Sequence, residues 1–267
     1  WTGSLGLVGI NAGRIFNTTS EVVFEGEKFG GIALSNNGEI YNCSFMGSIT
    51  ASNQAAGIVI SNSGLLEVCS TLLLDASSIK LASTFDPQAK LAGLCVENLE
   101  NGRILRSYIH SYKADAAFAD SDFSYSGGLV HTNSGEITKS FSALLNVDSV
   151  TGFVFVNNAK AKIENCYSNT TFAKYNYGAI AKCFSVLDDE RLNAATSCYS
   201  GTNATEKTVS DWLKTDWDIS CTYEKITIWK IYLDSQNPFL REISAEVKPE
   251  SMIISVKDPQ NINSYLK

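Results

Sequence analysis

The sequence contains very little histidine and proline. Two His and four Pro occur among its 267 residues. Most structural and catalytic zinc sites use His, and so do many acid–base and nucleophilic mechanisms. This composition therefore leaves little room for a His-based active site or a zinc site.

Charged residues are also scarce, and acidic ones outnumber basic ones. They make up 18% of the chain and give a formal net charge of −7. Nucleic-acid binding depends on neutralising phosphates, so an acidic chain without a Lys/Arg run argues against it. The 44% hydrophobic content excludes a disordered chain, and no apolar run reaches the ~18–20 residues of a membrane span. Because position 1 is Trp, we expect a mature or excised fragment.

An internal repeat organises most of the chain. Seven segments begin with Gly followed by small or apolar β-formers, at intervals of 25, 26, 36, 35, 24 and 26 residues. They begin at Gly6, Gly31, Gly57, Gly93, Gly128, Gly152 and Gly178. An Asn stands five residues after each of the first six: Asn11, Asn36, Asn62, Asn98, Asn133 and Asn157. In this frame the seventh segment has Cys183 at that position.

The repeat predicts an all-β protein, a parallel β-helix (β-solenoid) of about seven coils. Its apolar runs are short, β-branched and interrupted by Asn-x-Gly turns, which are strand and turn signals. Coils of such a fold stack ~4.8 Å apart, so equivalent residues form columns. The asparagines should form a ladder of side-chain amides that satisfies buried turn backbone. A second column is small, with Thr18, Cys43, Cys69, Ser107, Ser140 and Cys166.

Residues 30–44, GGIALSNNGEIYNCS, and residues 163–168, IENCYS, resemble the GLUG repeats of bacterial surface proteins. A C-terminal stretch with Trp212, Trp217, Trp229 and Phe239 resembles the segment that often closes such arrays. The resemblance implies a secreted or cell-surface location and brings no catalytic residues. We expect a repeat array at 1–204, a capping segment at 205–241 whose aromatic residues plug the open last coil, and a linker or the start of a further module at 242–267.

Two insertions, about 72–90 and 110–126, lengthen consecutive coils and should project side by side. The second carries Asp115, Asp120 and Asp122, and its run Asp120-Ser121-Asp122 resembles a fragment of a calcium loop. A calcium loop needs more oxygen ligands at fixed spacing, so calcium is only a weak alternative to a solvated loop. With Asp86, these acids are also the candidates for a carbohydrate-cleaving site.

The remaining titratable residues predict structural roles. Seven cysteines without a C-x-x-C pair predict buried free thiols rather than a zinc or redox site. His131 takes the position of Leu34, Ile60 and Phe155 in other coils and should fill the core or an edge, whereas His110, in the second insertion, should be exposed. Residues 188–190, Asp-Asp-Glu, are expected to form a solvated turn.

These patterns favour a non-catalytic, surface-displayed or secreted solenoid with an adhesive or structural role. Its loops would bind a glycan, a surface protein or another copy of the chain, with no cofactor, no nucleic acid and no membrane insertion. Two alternatives stay open: a carbohydrate-active β-helix enzyme (a polysaccharide lyase or hydrolase) using the acidic insertion, and an accessory module of a secreted protease.

Overall fold

The computed structural model describes residues 4–73, 78–83, 86, 88–111, 117–118, 126–144, 152–187, 189, 192, 195–201, 209–216, 218–220, 229–230 and 239–240. These residues form three parallel sheets, which we call sheets A, B and C, and one small separate sheet. The prediction of a parallel β-helix is confirmed.

Sheet A has thirteen strands. They are β1 (Ser4–Leu5), β4 (Thr19–Gly30), β7 (Ser44–Ala56), β10 (Ser70–Leu73), β11 (Ser78–Leu81), β12 (Lys90–Ala92), β15 (Tyr108–Ser111), β16 (Ala117–Phe118), β17 (Ser126–Gly127), β20 (Phe141–Ala143), β23 (Tyr167–Ser168), β26 (Phe184–Ser185) and β27 (Tyr199–Ser200).

Sheets B and C have seven short strands each. Sheet B consists of β2 (Val8–Asn11), β5 (Ala33–Asn36), β8 (Val59–Asn62), β13 (Cys95–Asn98), β18 (Val130–Asn133), β21 (Val154–Asn157) and β24 (Ala173–Asn176). Sheet C consists of β3 (Arg14–Phe16), β6 (Glu39–Tyr41), β9 (Leu65–Glu67), β14 (Arg103–Leu105), β19 (Glu136–Thr138), β22 (Lys162–Glu164) and β25 (Ala179–Ala181).

One coil passes through sheets A, B and C in turn, and seven such coils stack in register. We number the coils one to seven by their sheet B strands. Each coil pairs in parallel with the next, and equivalent residues are partners. Asn36 is the partner of Asn62, and Ile40 lies between Ile15 of the preceding coil and Leu66 of the following coil. This in-register stacking turns the sequence repeat into columns along the solenoid axis.

The core is built from two of these columns. The sheet C column of Ile40, Leu66, Ile104, Ile137 and Ile163 has at most 1% of its surface exposed. The column one position before the sheet B strands is equally buried and consists of Ile32, Ile58, Leu94, Leu129, Phe153 and Phe172. Burying one such side chain contributes ~1.5–3 kcal/mol. The small Thr/Cys/Ser residues lie where the chain passes from a sheet C strand to the next sheet A strand.

Coil one lacks a neighbour on its outer side among the described residues. Leu7 is 58% exposed and Ile10 is 68% exposed, whereas Ile32, which follows Leu7 in the same column, is fully buried. An aliphatic side chain at this place in the repeat is therefore exposed in coil one and buried in coil two.

The seventh coil corrects the sequence frame. Asn157 pairs with Asn176, 19 residues later, so the seventh ladder residue is Asn176 and not Cys183. Gly178 follows that Asn by two residues, as Gly135 follows Asn133, and does not begin a coil. The frame was wrong because this coil is short in sheet A, where β23 has two residues and β7 has thirteen.

The two insertions do not form simple projecting loops. β10, β11 and β12 all pair with the single strand β7, so residues 74–77 and 82–89 interrupt a span that β7 crosses without a break. β15, β16 and β17 repeat this layout in the next coil. The part of each coil that belongs to sheet A is consequently long in coils two to five and short in the coils that follow them.

The C-terminal segment begins with the short helix α1 (Val209–Leu213). It continues into the separate sheet of β28 (Ile219–Ser220), β29 (Trp229–Lys230) and β30 (Phe239–Leu240). Asp216 reaches the solenoid, with its carboxylate 3.9 Å from the Lys182 ammonium. Trp217, the side chains of the other predicted plug residues (Trp212, Trp229 and Phe239) and all of 242–267 lie outside the described part, so the aromatic plug stays a prediction.

Among the described residues, no helix has the length and apolar content needed to cross a membrane.

Candidate functional site

The asparagine ladder is continuous from coil one to coil seven. Each side-chain amide donates to the side-chain oxygen of the next Asn, over N···O distances of 2.7 to 2.9 Å. In the middle coils the other amide hydrogen goes to a turn carbonyl, as from Asn62 to Gly64. Asn36, Asn62, Asn133 and Asn157 have no exposed surface. The structure thus brings the expected ladder residues together, and their polar groups are used within the fold.

A second column explains the small residues of the repeat. Among the residues that the structure describes, eight non-glycine residues have φ between 50° and 55°: Asn17, Asn42, Val68, Arg106, Lys139, Asn165, Lys182 and Ser197. Each is followed by a residue of the Thr/Cys/Ser column, whose hydroxyl or thiol faces the carbonyl two residues earlier. Examples are Ser107 to Leu105 (2.9 Å) and Cys166 to Glu164 (3.3 Å). These contacts stabilise a backbone conformation that L-residues rarely adopt.

The prediction of buried free thiols is confirmed for six cysteines: Cys43, Cys69, Cys95, Cys166, Cys183 and Cys198. Cys221 lies outside the described part. Burial raises the pKa of Cys69 to about 12 and also raises the pKa of Cys95 and Cys183. A hydrogen bond with the Cys183 thiol lowers the pKa of Cys198. Most of these thiols stay protonated and act as small core residues and weak donors.

His131 fills an edge position, as its place in the repeat predicts. It is 6% exposed, its ring stacks on Phe155 with centroids 4.7 Å apart, and Nδ1 lies 2.9 Å from the Thr132 hydroxyl. Burial, aided by the nearby charge of Lys90, lowers the pKa of His131 to about 3. The ring is therefore neutral at physiological pH and belongs to the packing of sheet B.

The expectation for His110 was wrong. His110 is 3% exposed and lies within β15, which pairs with β10 as far as Ser111. The insertion therefore begins after Ser111, and His110 still belongs to the regular strand. Burial lowers its pKa to about 4.

The expectation of a solvated turn at 188–190 was also wrong at its central residue. Asp189 is 8% exposed, and its carboxylate accepts hydrogen bonds from the backbone N–H groups of Phe172 (2.9 Å) and Leu192 (3.2 Å). Its own N–H donates to the Ser200 hydroxyl at 2.8 Å. Asp189 therefore ties the backbone of coil seven to the strand that follows it.

Of the four candidate acids, Asp86 in the first insertion is the one that the structure describes. Its carboxylate accepts from the Gln88 N–H at 2.8 Å and from the Asn53 amide at 3.3 Å, as expected for a turn-forming Asp. Asp115, Asp120 and Asp122 lie outside the described residues. Within the described residues, no three His, Cys, Asp or Glu side chains come together in a way that could hold a metal ion.

A partly exposed row of aromatic rings on sheet B was missed by the sequence reasoning. It consists of His131 and Phe155, which are equivalent residues of coils five and six, and of Tyr175 in coil seven, whose in-register partner is Val156; we call it the aromatic row. Phe155 and Tyr175 meet edge to face with ring centroids 5.6 Å apart, and the Lys174 ammonium lies 5.1 Å from the centre of the Phe155 ring. Tyr175 is 45% exposed, and Tyr177 in the adjoining turn is 66% exposed. In the corrected frame the residue equivalent to Phe155 is Lys174, so a comparison of columns does not place Tyr175 beside Phe155.

Comparisons with protein-family models, with curated proteins and with solved structures find no match to this chain. The resemblance to GLUG repeats therefore stays a prediction, and the function is argued from the geometry alone.

Proposed function

We propose that the chain is a non-catalytic, secreted or surface-displayed β-solenoid that presents its two insertions to a partner at a cell surface. One observation carries this proposal. The described strands that flank the insertions lie side by side, because β11 and β16 pair in register, Ser78 with Ala117 and Ile79 with Phe118. The strands on either side of residues 74–77 and 82–89 in coil four are therefore the neighbours of the strands on either side of residues 112–116 and 119–125 in coil five.

The frame beneath the insertions supports a recognition role. β7 crosses the same span as one strand of thirteen residues and pairs with β4 along nearly its whole length. Its inward side chains, Phe45, Ile49 and Ala55, have no exposed surface. Variable segments held on a rigid packed sheet are a common arrangement for binding surfaces.

The register supplies a direct test by loop removal. Residues 82–89 are replaced by Ser-Asn, the two residues that join the equivalent positions of β7. Residues 119–125 are replaced by Thr-Ala-Ser-Asn-Gln, the equivalent five residues of β7. We expect this variant to fold, because loop changes alter stability little when the core is untouched.

The readout is binding of the labelled protein to intact cells and to a glycan array. A variant that unfolds like the parent but binds at least ~10-fold more weakly, a loss of ~1.4 kcal/mol, supports the proposal. Unchanged binding by a folded variant would place recognition elsewhere on the molecule.

A further inference from the structure

We infer that Cys183 and Cys198 form a disulfide bond when the chain meets a hydroperoxide, and that this bond ties together the last two strands of sheet A. Cys183 immediately precedes β26 (Phe184–Ser185), and Cys198 immediately precedes β27 (Tyr199–Ser200). The pair lies at the C-terminal end of the array and involves neither insertion, so the inference stands independently of the proposed function.

The first step is the backbone, which holds the two cysteines side by side. β26 and β27 pair in parallel, with Phe184 opposite Tyr199. On the other side of the cysteines, Ala181 pairs in parallel with Thr196. Paired strands lie ~4.8 Å apart, and the Cα atoms of a disulfide are usually ~4.4–6.8 Å apart. The backbone therefore already has the spacing that a disulfide needs.

The second step is the contact between the two side chains. The Cys183 N–H points at Sγ of Cys198, with an N···S distance of 3.4 Å. The two thiols are also hydrogen-bonded to each other. Because the sulfur atoms already meet, side-chain rotation alone can supply the ~90° dihedral angle of a disulfide.

The third step is the identity of the attacking sulfur. A thiolate, and not a thiol, attacks a hydroperoxide. The hydrogen bond with the Cys183 thiol lowers the pKa of Cys198, whereas burial raises the pKa of Cys183 well above its ordinary value. Cys198 is also 5% exposed and precedes the last strand of sheet A, whereas Cys183 is fully buried. The hydroperoxide therefore reacts with Cys198 first, and Cys183 resolves the product.

The chemistry balances with one molecule of hydrogen peroxide. The Cys198 thiolate attacks one peroxide oxygen, the O–O bond breaks and hydroxide leaves, so that Cys198 becomes a sulfenic acid. The Cys183 sulfur then attacks the sulfenic sulfur, the S–S bond forms, the S–O bond breaks and the departing hydroxyl leaves as water with the Cys183 proton. The first hydroxide takes up the proton that Cys198 had lost. The two thiols are oxidised by two electrons, and the peroxide is reduced to two molecules of water.

Cys166 is the competing partner of Cys183. It stacks on the other side of Cys183, and the two thiols are hydrogen-bonded. Cys166 has no exposed surface, however, and its Sγ lies 3.3 Å from the Glu164 carbonyl oxygen. An oxidant that enters from the end of the array meets Cys198 before it meets Cys166. The bridge should therefore form at the outer end of this thiol column, between Cys183 and Cys198.

The test counts thiols in the full chain. The reduced protein is treated with hydrogen peroxide while folded, quenched with catalase, denatured, blocked with N-ethylmaleimide and weighed by mass spectrometry. We expect two fewer maleimide adducts than in untreated protein, and a peptide map that joins Cys183 to Cys198. Cys43 and Cys69 are the internal control: they are neighbours in the same column, but burial raises the pKa of both, so they should stay reduced.

Two variants separate the attacking sulfur from the resolving one. Cys183→Ser suits the fold, because Ser107 and Ser140 take this place in other coils, and its hydroxyl can still donate to Sγ of Cys198. Peroxide should leave Cys198 of this variant as a sulfenic acid, which dimedone labels. Cys43→Ser is the matched control and should form the same bridge as the parent.

Several outcomes would overturn the inference. They are an unchanged thiol count in folded, peroxide-treated protein, a bridge that joins any other pair, such as Cys166 with Cys183, and oxidation of Cys43 and Cys69 as fast as that of Cys183 and Cys198. A bridge between two chains, seen as a doubled mass, would also contradict it. The peptide map of the parent decides the question even where a variant fails to fold.

Discussion

At the residue scale, single asparagines connect coils that are far apart in the sequence. Asn98 accepts from Asn62 and donates to Asn133, each across 2.8 Å, although these partners lie 36 and 35 residues away. Because its side chain is 1% exposed, water cannot replace either contact. The ladder amides all donate in one direction, so each bond polarises the next.

We predict that Asn98→Ala lowers the free energy of unfolding by ~1–3 kcal/mol, because one buried amide hydrogen of Asn62 loses its acceptor and the buried oxygen of Asn133 loses one of its two donors. Asn37→Ala is the matched control, since Asn37 is exposed and should change stability by less than ~0.5 kcal/mol. Urea unfolding monitored by circular dichroism measures both. Equal stability of the two variants would show that the ladder bonds contribute nothing.

A second residue-scale prediction concerns pH. The pKa of His131 is about 3 in the folded chain, against 6.5 for an ordinary His. Between these values the unfolded state binds a proton that the folded state does not. Its contribution to stability is therefore present above pH 6.5 and is lost as the pH falls toward 3.

From pH 7 to pH 5 the parent should lose ~2 kcal/mol more stability than His131→Phe, a variant that keeps an aromatic ring beside Phe155. Urea unfolding of the two proteins at both pH values measures this difference. Parallel losses in parent and variant would mean that His131 is protonated in the folded state at pH 5.

At the element scale, position along the solenoid sets the value of a core residue. Leu7 and Leu94 stand at the same place in the repeat, but Leu7 is 58% exposed and Leu94 is fully buried between neighbouring coils. The repeat in the sequence cannot show this difference, because it depends on what stacks on each side.

We predict that Leu94→Ala lowers stability by ~2–5 kcal/mol, the usual range for a buried Leu, and that Leu7→Ala lowers it by less than ~1 kcal/mol. The shift of the thermal unfolding midpoint in each variant checks the pair. Comparable losses would indicate that coil one is covered on its outer side in solution.

The element scale also shows what the sequence could predict. In-register stacking repeats the same kind of side chain at each coil, so the regular spacing from Asn11 to Asn157 predicted the strands, the turns and the parallel fold. Prediction from this spacing failed where a coil changed length. The two-residue strand β23 shifted the frame and hid Asn176. His110 was misplaced because β15 continues to Ser111, past the boundary assigned to the insertion. The burial of Asp189 was missed because its partner Phe172 lies 17 residues earlier in the chain.

At the scale of the whole molecule, the two ends of the array differ. The outer side of coil one exposes Leu7 and Ile10, whereas at the other end Lys182, next to the last strand of sheet C, faces Asp216 of the C-terminal segment. An uncovered end of a parallel array exposes strand edges that can pair with other chains.

We predict that truncation after residue 204 makes the chain associate with rising concentration and lowers its unfolding midpoint. Truncation after residue 241 is the control and should leave both unchanged. Sedimentation velocity across a concentration series measures association. A chain of 204 residues that stays monomeric and is as stable as the parent would show that the C-terminal segment does not cap the array.

The measurement that tests the central claim most directly is a combined binding and turnover assay on the intact chain. Cellohexaose and hexamannuronate are titrated into the protein, and the same samples are then incubated and weighed by mass spectrometry. A non-catalytic solenoid predicts that every hexasaccharide, whether or not it binds, is recovered at its original mass. Shortened sugars produced by the parent and absent with Asp120→Asn would contradict the account and identify a carbohydrate-cleaving enzyme.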